Sequence, residues 1–303
     1  MTVIIAGGTG FIGSALIDAL LARGDKVILL TRAPAAAHLR WDAKVDVRLW
    51  NAKDPGPWVM AFDKADAVIN LAGENVASER WTAERKLALI KSRIDSTRAV
   101  VAALAAATKR PKVFLSASAV GYYGGARRSD CPEDAPQGVD FLAALCGQWE
   151  REAHAAEKLG VRVVIPRIGV VLEKDGGALA KMLPPFKFGV GGRLGSGRQA
   201  FPWVHRDDVV GSILFLLEKN VSGPVNLAAP DLKTNAAFTK ALGRALHRPT
   251  FFPVPGFVLK LALGEMSGML LGGQRAIPKK LIDAGYAFKY PTIDDTLAAI
   301  LKR

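Results

Sequence analysis

The stretch Gly7-Gly8-Thr9-Gly10-Phe11-Ile12-Gly13 follows a short β-branched run, Thr2–Ala6, and leads into residues 11–23, whose apolar positions recur at helical spacing. It contains the pattern Gly8-x-Gly10-x-x-Gly13 and also the shifted pattern Gly7-x-x-Gly10-x-x-Gly13. Between a strand and a helix, such glycines allow a tight turn, let a pyrophosphate approach the backbone and aim a helix N-terminus at negative charge. The position of the stretch therefore predicts a dinucleotide-binding turn rather than a glycine-rich turn with only a structural role.

Strand and helix patterns alternate after this turn. The predicted strands are 26–30, 45–49, 67–71, 113–116 and 161–165, and the predicted longer helices are 84–107 and 141–159. Buried apolar strands that alternate with helices form parallel βαβ units. We therefore predict an α/β fold with a Rossmann-type, doubly wound parallel sheet.

The alternation ends after residue 172, where glycine and proline become frequent and helical patterns dominate. This change predicts a smaller, mainly helical C-terminal domain on the substrate side. We expect residues 1–230 to form the cofactor-binding domain, with 173–205 contributing to the substrate side, and residues 231–303 to form the small C-terminal domain.

The net charge of the 303-residue chain is +13, with 41 Lys and Arg against 28 Asp and Glu. Such an excess attracts nucleic acid, a membrane surface or a phosphorylated small molecule. No basic run is longer than two residues, and no zinc-finger or RRM-like motif is present, so we expect no nucleic-acid partner and no membrane partner. The chain has only two cysteines, Cys131 and Cys146, which is typical of a reducing compartment. Its N-terminal apolar run is broken by glycines and charged residues, so it does not resemble a signal peptide, and we expect a cytoplasmic protein.

The end of the second predicted strand indicates which dinucleotide is bound. That strand leads into Thr31-Arg32, and the next acidic residue is Asp42. NAD-binding proteins place an acid here for the ribose 2′-hydroxyl, whereas a guanidinium can pair with a 2′-phosphate. Arg32 therefore favours NADP(H), and the alternative is an exposed charge at a strand end.

Small and hydroxyl-bearing residues follow the next two strands. Leu71-Ala72-Gly73 closes the fourth strand, and the fifth ends in a segment with Ser116, Ser118, Tyr122 and Tyr123. In an open α/β sheet the ligand crevice lies at these strand ends. We expect Leu71, Ala72, Gly73 and Ser116 to contact the cofactor. The catalytic candidates are Ser118, Tyr122 and Tyr123.

Together these motifs resemble the epimerase branch of the extended short-chain dehydrogenases/reductases, more narrowly the epimerase family proteins with a small C-terminal domain of unknown function. The similarity covers essentially the whole chain and is carried by motifs 70–75, 116–124, 149–150, 167–172, 191–197, 203–208, 272–275 and 285–288. It implies a Rossmann-type fold with NADP(H) near residues 7–13, Thr31-Arg32 and Leu71-Ala72. It also implies contacts from Arg93 and from the backbone near Val171.

The Tyr-x-x-x-Lys dyad that such proteins use for proton transfer is absent, because none of the four tyrosines is followed four residues later by lysine. The family pattern would place the tyrosine near Leu142 and the lysine near Cys146. The tyrosines at 122 and 123 could instead form an aromatic wall. His205 could carry a proton or serve a structural role, and we expect no metal site because the histidines are scattered.

Two functions are compatible with this sequence. One is an NADP(H)-dependent oxidoreductase or epimerase-like protein acting on a small, anionic or nucleotide-sugar substrate, for which Arg193, Arg198 and Arg275 are candidate anion contacts. The other is a non-catalytic NADP(H)-binding protein that reports redox state. The sequence leaves open whether the chain is a monomer or a homodimer.

Overall fold

A computed structural model describes residues 1–127 and 129–302, so that Arg128 and Arg303 lie outside the described residues. Within them, the central sheet has seven parallel strands in a single path: β1 (Thr2–Ala6), β2 (Lys26–Thr31), β3 (Val45–Leu49), β4 (Ala67–Asn70), β5 (Val113–Ser116), β6 (Arg162–Ile168) and β7 (Gly223–Leu227). Their spatial order is β3-β2-β1-β4-β5-β6-β7, and a two-residue strand, Ser118–Ala119, also pairs with β6.

The register aligns the carboxyl ends of the central strands. Ala6 at the end of β1 is opposite Leu30 on one side and Asn70 on the other, and Asn70 is opposite Ser116. Strands β2 and β3 are added on one side of β1, and the later strands are added on the other side, beginning with β4. The carboxyl ends of β1 and β4 therefore form a topological switch point, which is where open α/β sheets bind their ligands.

Eleven α-helices are present in the described part of the chain: α1 (Phe11–Ala22), α2 (Pro34–Trp41), α3 (Ala83–Ala106), α4 (Phe141–His154), α5 (Gly177–Lys187), α6 (Arg206–Glu218), α7 (Asn235–Leu246), α8 (Gly256–Leu263), α9 (Gly268–Leu271), α10 (Lys279–Asp283) and α11 (Ile293–Lys302). Short 3-10 helices cover Asp42–Lys44, Pro57–Lys64, Val120–Tyr123, Ala155–Leu159 and Gly264–Ser267. Three small two-stranded ladders pair Val170–Glu173 with Trp203–His205, Ala200–Phe201 with Lys233–Thr234, and Asp130–Cys131 with Arg275–Ala276.

Side chains of the strands pack alternately on the two faces of the sheet. Ile5 on β1 belongs to the core formed with α1 and α6, whereas its neighbour Ile4 belongs to the core formed with α3. Both residues are fully buried, as expected for a parallel sheet covered on both faces. The predicted α/β fold with a doubly wound Rossmann-type sheet is therefore confirmed.

A third core lies beside the sheet. It joins α5, α7 and α11 through side chains that include Leu179, Phe238 and Leu297, and it also contains Trp203. Residues within 173–205 thus share a core with the helical C-terminal region.

Several elements differ from the sequence-based prediction. The expected helix over 141–159 ends as an α-helix at His154 and continues as the 3-10 turn Ala155–Leu159. The helices α2 and α5 and the edge strand β7 were not predicted. No helix in the described ranges combines the length and apolar character needed to cross a membrane.

Candidate functional site

The glycine turn lies directly against the end of β4. A Cβ atom on Gly7, whose φ is 77°, would lie 2.6 Å from the carbonyl carbon of Leu71 and 2.7 Å from the amide nitrogen of Ala72. A Cβ on Gly13 would lie 2.4 Å from the carbonyl oxygen of Gly7. These contacts admit only glycine, and they hold the turn over the switch point of the sheet.

The N-terminus of α1 is open at this turn. Thr9 and the N-cap residue Gly10 are exposed, no side chain caps the helix, and its first turn contains no acidic residue. Half-buried Phe11 and Ile12 follow. Helix amides and the helix dipole at such an end favour a bound anion, so the turn fits a pyrophosphate.

A loop after the short strand Val170–Glu173 covers one side of this helix end. A Cβ on Gly176 would lie 2.5 Å from the ring of Phe11, and a Cβ on Gly177 would lie 2.9 Å from the carbonyl oxygen of Val171. The Arg206 guanidinium lies 5.2 Å from the centre of the Phe11 ring. The structure therefore places Val171 and Phe11, both expected at the cofactor, on the same side of the crevice.

Arg32 is exposed at the end of β2. Its side chain is 76% accessible, and its Nη2 lies 3.8 Å from Oε1 of Glu74. The preceding residue, Thr31, is buried and accepts a hydrogen bond from the amide of Ala33. Arg32 is thus free to turn toward a ligand, because a single, long ion pair holds it only weakly.

Arg85 is a second guanidinium at this corner, and it belongs to no motif that predicts a cofactor contact. It lies 3.5 Å from the other oxygen of Glu74 and donates hydrogen bonds to the carbonyl of Asn75 and the hydroxyl of Ser78. The only available signal in the sequence is its place in the first turn of α3. Glu74 therefore lies between two arginines.

The end of β4 is held in place by a buried amide. Asn70 donates to the hydroxyl of Thr97 and accepts from the amide of Ala72, which fixes the backbone of the expected cofactor segment from Leu71 to Gly73. A Cβ on Gly73 would lie 3.2 Å from the guanidinium carbon of Arg93. The strand end therefore comes close to Arg93.

Arg93 is a buried cation next to the crevice. Its strongest hydrogen bonds go to the carbonyls of Leu89 and Glu74, and its guanidinium lies 5.2 Å from the Trp149 ring. Burial lowers the pKa of Arg93. A guanidinium held by carbonyls, with no carboxylate hydrogen bond in the described part of the chain, is a good partner for an anionic ligand.

Ser116 and Ser118, both expected at the crevice, are buried at the end of β5. The hydroxyl of Ser116 has no hydrogen-bond partner among the described residues. The hydroxyl of Ser118 donates to Oε1 of Glu150 at 2.6 Å, and Glu150 also forms a two-pronged pair with Arg167 at 2.8 and 2.9 Å. The proton of Ser118 is therefore held by a buried carboxylate.

Tyr123 belongs to the same buried network. Its hydroxyl accepts from Nη1 of Arg167 at 2.9 Å and donates to Oδ1 of Asn226 at 2.8 Å. The side chain is 1% exposed, and burial raises the pKa of Tyr123 to about 12. Half-buried Tyr122 stacks its ring 3.5 Å from the Arg167 guanidinium. The structure thus gathers all three catalytic candidates around Arg167, and of these it leaves Tyr122 the most accessible.

The positions that the family pattern assigns to tyrosine and lysine lie next to this network. A Cβ on Gly121 would lie 3.4 Å from Cβ of Leu142 and 3.8 Å from Sγ of Cys146. Burial raises the pKa of Cys146 to about 11. Neither side chain can exchange a proton at neutral pH.

The remaining candidates have structural contacts. His205 is fully buried, accepts from the amide of Asp207 as the N-cap of α6 and packs 4.0 Å from the Tyr290 ring. Arg193 donates to two carbonyls of its own loop, and Arg275 pairs with Asp130 at 2.6 Å. Arg198 is exposed. Across residues 1–127 and 129–302, no three His, Cys, Asp or Glu side chains are grouped as metal ligands.

Comparison with known proteins places this chain in a family. Residues 3–228 match the model of the NAD dependent epimerase/dehydratase family, and residues 254–300 match a domain of unknown function, DUF1731. The chain is 41% identical over 299 residues to the epimerase family protein ML0860 of Mycobacterium leprae, covering 98% of this chain and 94% of the relative. It is 38% identical to the epimerase family protein SDR39U1 of Bos taurus, covering 99% and 100% of the two chains.

A solved structure agrees with these matches. The human epimerase family protein SDR39U1, crystallised with NADPH, superposes with a TM-score of 0.88 at 35% identity and covers 100% of both chains. NADPH is the cofactor type that Arg32 led us to expect for this chain. The chain belongs to the NAD dependent epimerase/dehydratase family.

Proposed function

We propose that this protein binds NADP(H) along the carboxyl ends of β1, β2 and β4. The observation that carries the proposal is the glycine turn, which lies on the Leu71–Ala72 backbone and leaves the N-terminus of α1 open. The dinucleotide phosphates fit this helix end, and the buried Arg93 cation provides a second anion contact. The NADPH in the human relative supports the same assignment.

The 2′-phosphate of the cofactor would be bound at the end of β2. Arg32 and Arg85 both contact Glu74, and the weakly held Arg32 can exchange this carboxylate for a phosphate. A phosphate offers more acceptor oxygens to a guanidinium than the distant Glu74 does. Arg32 would therefore select NADP(H) over NAD(H), with Arg85 adding positive charge.

The chemistry that NADPH would provide when bound is hydride transfer, and a small-molecule substrate would be held at the end of β5. The accompanying proton cannot come from Leu142 or Cys146, and the hydroxyls of Ser118 and Tyr123 are already engaged by Glu150 and by Arg167 with Asn226. Tyr122 is the remaining candidate acid. We therefore propose an oxidoreductase or epimerase-like activity on an anionic or nucleotide-sugar substrate, with Tyr122 as the proton donor.

A second candidate function is favoured by the pair Leu142 and Cys146. Because the usual proton relay is replaced by apolar or unionised groups, the protein could bind NADP(H) without turnover and report its redox state to a partner. The two functions share the cofactor site and differ only in whether a substrate reacts.

Cofactor selection is tested by calorimetric titration of NADPH and NADH into wild type, Arg32→Ala and Arg48→Ala. Arg48 is a matched control, because it is also exposed on a strand and ion-paired, to Asp46. Loss of a charge-assisted hydrogen bond should weaken NADPH binding by Arg32→Ala about 10- to 100-fold, with NADH binding unchanged. An unchanged preference for NADPH in Arg32→Ala would contradict the assignment.

Catalysis is tested by following NADPH absorbance with a panel of carbonyl compounds and nucleotide sugars. Removal of a general acid should slow Tyr122→Phe by about 100-fold or more at unchanged NADPH affinity. Wild-type rates in Tyr122→Phe would remove Tyr122 from the reaction. No turnover by the wild type, together with a partner captured in only one redox state of the cofactor, would favour the binding function.

A further inference from the structure

The positive charge of the chain is concentrated in two segments. Residues 176–206 and 232–264 contain five Lys and Arg each and no Asp or Glu. The rest of the chain holds 31 Lys and Arg against 28 Asp and Glu, which is close to neutral. The two cationic segments therefore account for most of the net charge of +13.

The fold brings parts of these two segments side by side. The amide of Val254 donates to the carbonyl of Arg193, the amide of Gly195 donates to the carbonyl of Val254, and Leu194 and Val254 form a parallel β-bridge. Farther back, Nε of Arg248 donates to the carbonyl of Lys187 at 2.9 Å. Residues 187–195 and 248–254 thus lie side by side and form one surface, although they are far apart in the sequence.

This surface also carries large exposed apolar side chains. Phe188 is 83% exposed on one segment, and Phe251 is 82% exposed on the other. The following helix, α8, has no buried residue, and its Phe257 and Leu261, four residues apart, are 72% and 80% exposed. Several large apolar side chains exposed on adjoining segments are typical of an interaction surface.

A basic hollow adjoins the exposed aromatic residues. Its lining includes Lys240, Arg244, His247, Arg248 and Phe251, and contains no carboxylate. Arg244 forms an ion pair with Asp294. The side chains of Lys240 and of the nearby Lys187 are exposed to solvent. The hollow therefore offers positive charge immediately beside an apolar projection.

We propose that this face, comprising residues 187–195 and 248–261 together with the adjoining basic hollow, binds the surface of a bilayer that contains anionic phospholipids. This proposal departs from the expectation, based on the absence of long basic runs in the sequence, that the protein has no membrane partner. The lysines and arginines of the face would meet the lipid phosphates, while the phenylalanines and the apolar face of α8 would insert at the headgroup boundary. Charge complementarity favours an anionic occupant, because residues 187–195 and 248–261 contain lysine and arginine but no acidic residue. The phenylalanines favour a bilayer over nucleic acid, because nucleic acid would leave them in water. The proposed attachment is peripheral, at the surface of the bilayer.

The face is tested by flotation of the full chain with phosphatidylcholine vesicles that either contain or lack phosphatidylglycerol. We expect binding only to the anionic vesicles, and we expect it to weaken as salt is raised. Because each lysine near an anionic surface contributes a factor of about five in partitioning, Lys187→Gln with Lys240→Gln should weaken binding by about 25-fold. Phe251→Ser with Phe257→Ser should abolish it.

Matched controls come from the opposite end of the sheet and from α2. Lys109→Gln with Lys112→Gln removes the same charge from exposed positions before β5, and Leu39→Ser removes an apolar side chain that is 91% exposed. These variants should bind the anionic vesicles like wild type, and circular dichroism checks that all variants fold. Absence of wild-type binding, equal binding to neutral vesicles, or equal losses in the controls would overturn the proposal. So would a dimer, measured by light scattering, that Phe251→Ser with Phe257→Ser dissociates while vesicles do not bind.

Discussion

Gly13 and Gly268 have ordinary, negative φ angles, yet their surroundings differ completely. A Cβ on Gly13 would collide with the backbone of Gly7, whereas one on Gly268 would meet no atom within 4 Å. Gly13→Ala should therefore lower the free energy of unfolding by about 1–3 kcal/mol, and Gly268→Ala should leave it unchanged or slightly raised. Urea unfolding measures both, and equal values for the two variants would contradict the tight turn.

Breaking the buried ion pair between Glu150 and Arg167 should destabilise the fold strongly. The two side chains are 6% and 2% exposed, so Arg167→Met would leave the Glu150 carboxylate buried and unpaired. The loss should be about 3–5 kcal/mol in the free energy of unfolding. Arg48→Met, which breaks an exposed pair with Asp46, should lose less than about 1 kcal/mol. Similar losses in both variants would show that the network around Tyr123 is not a stabilising core.

Single residues were predicted where a local pattern determines their place. The glycine turn, Arg32 and the hydroxyl residues after β5 could be located from their positions at strand ends. Their partners could not, because Glu150, Arg167 and Asn226 reach Ser118 and Tyr123 only through the packing of α4, β6 and β7. The sequence therefore indicated which hydroxyls lie near the crevice, but not which of them are already hydrogen-bonded.

At the scale of elements, α11 depends on packing against the third core. Leu297 is fully buried there with Phe238 and Leu179. Leu297→Ala should lower the free energy of unfolding by about 2–5 kcal/mol, because it removes apolar contacts and leaves a cavity. The exposed Leu39→Ala provides the control and should have little effect. A small loss for Leu297→Ala would mean that α11 is only loosely attached.

Helix α5 and strand β7 were not predicted because their local sequences are unfavourable for a helix and a strand, respectively. Helix α5 contains Pro184 and Pro185 in its last turn, where proline normally predicts a break. Strand β7 begins with Gly223 and Pro224, and it is tolerated because it is the edge strand of the sheet. Tertiary packing determines both elements, whereas the strongly apolar central strands followed from the sequence alone.

At the scale of the whole molecule, Glu133 connects the sheet to the C-terminal region. Its Oε1 accepts hydrogen bonds from the amides of Asn226 in β7 and Lys280 in α10. Burial raises the pKa of Glu133 above its ordinary value. The folded state therefore holds this proton more tightly than the unfolded chain, so the contribution of Glu133 to stability is full at low pH and is lost as the pH rises through its folded pKa.

Glu133→Gln keeps an acceptor oxygen and cannot ionise. Relative to wild type, its free energy of unfolding should increase between about pH 4 and pH 7, with the largest gain at neutral pH. Urea unfolding across this range measures the difference, and exposed Glu79→Gln should show no such trend. A difference that shrinks as the pH rises would contradict the direction of the pKa shift.

Contact between Arg32 and the 2′-phosphate of NADP(H) can be measured by phosphorus NMR of bound NADP⁺. A phosphate monoester loses its second proton, and becomes a dianion, near pH 6. Pairing with a guanidinium favours the dianion, so the bound 2′-phosphate signal should titrate below that of free NADP⁺ in wild type and in Arg48→Ala, and at the free value in Arg32→Ala. A wild-type signal that titrates as in free NADP⁺, or a lowered pKa that persists in Arg32→Ala, would show that Arg32 does not bind the 2′-phosphate.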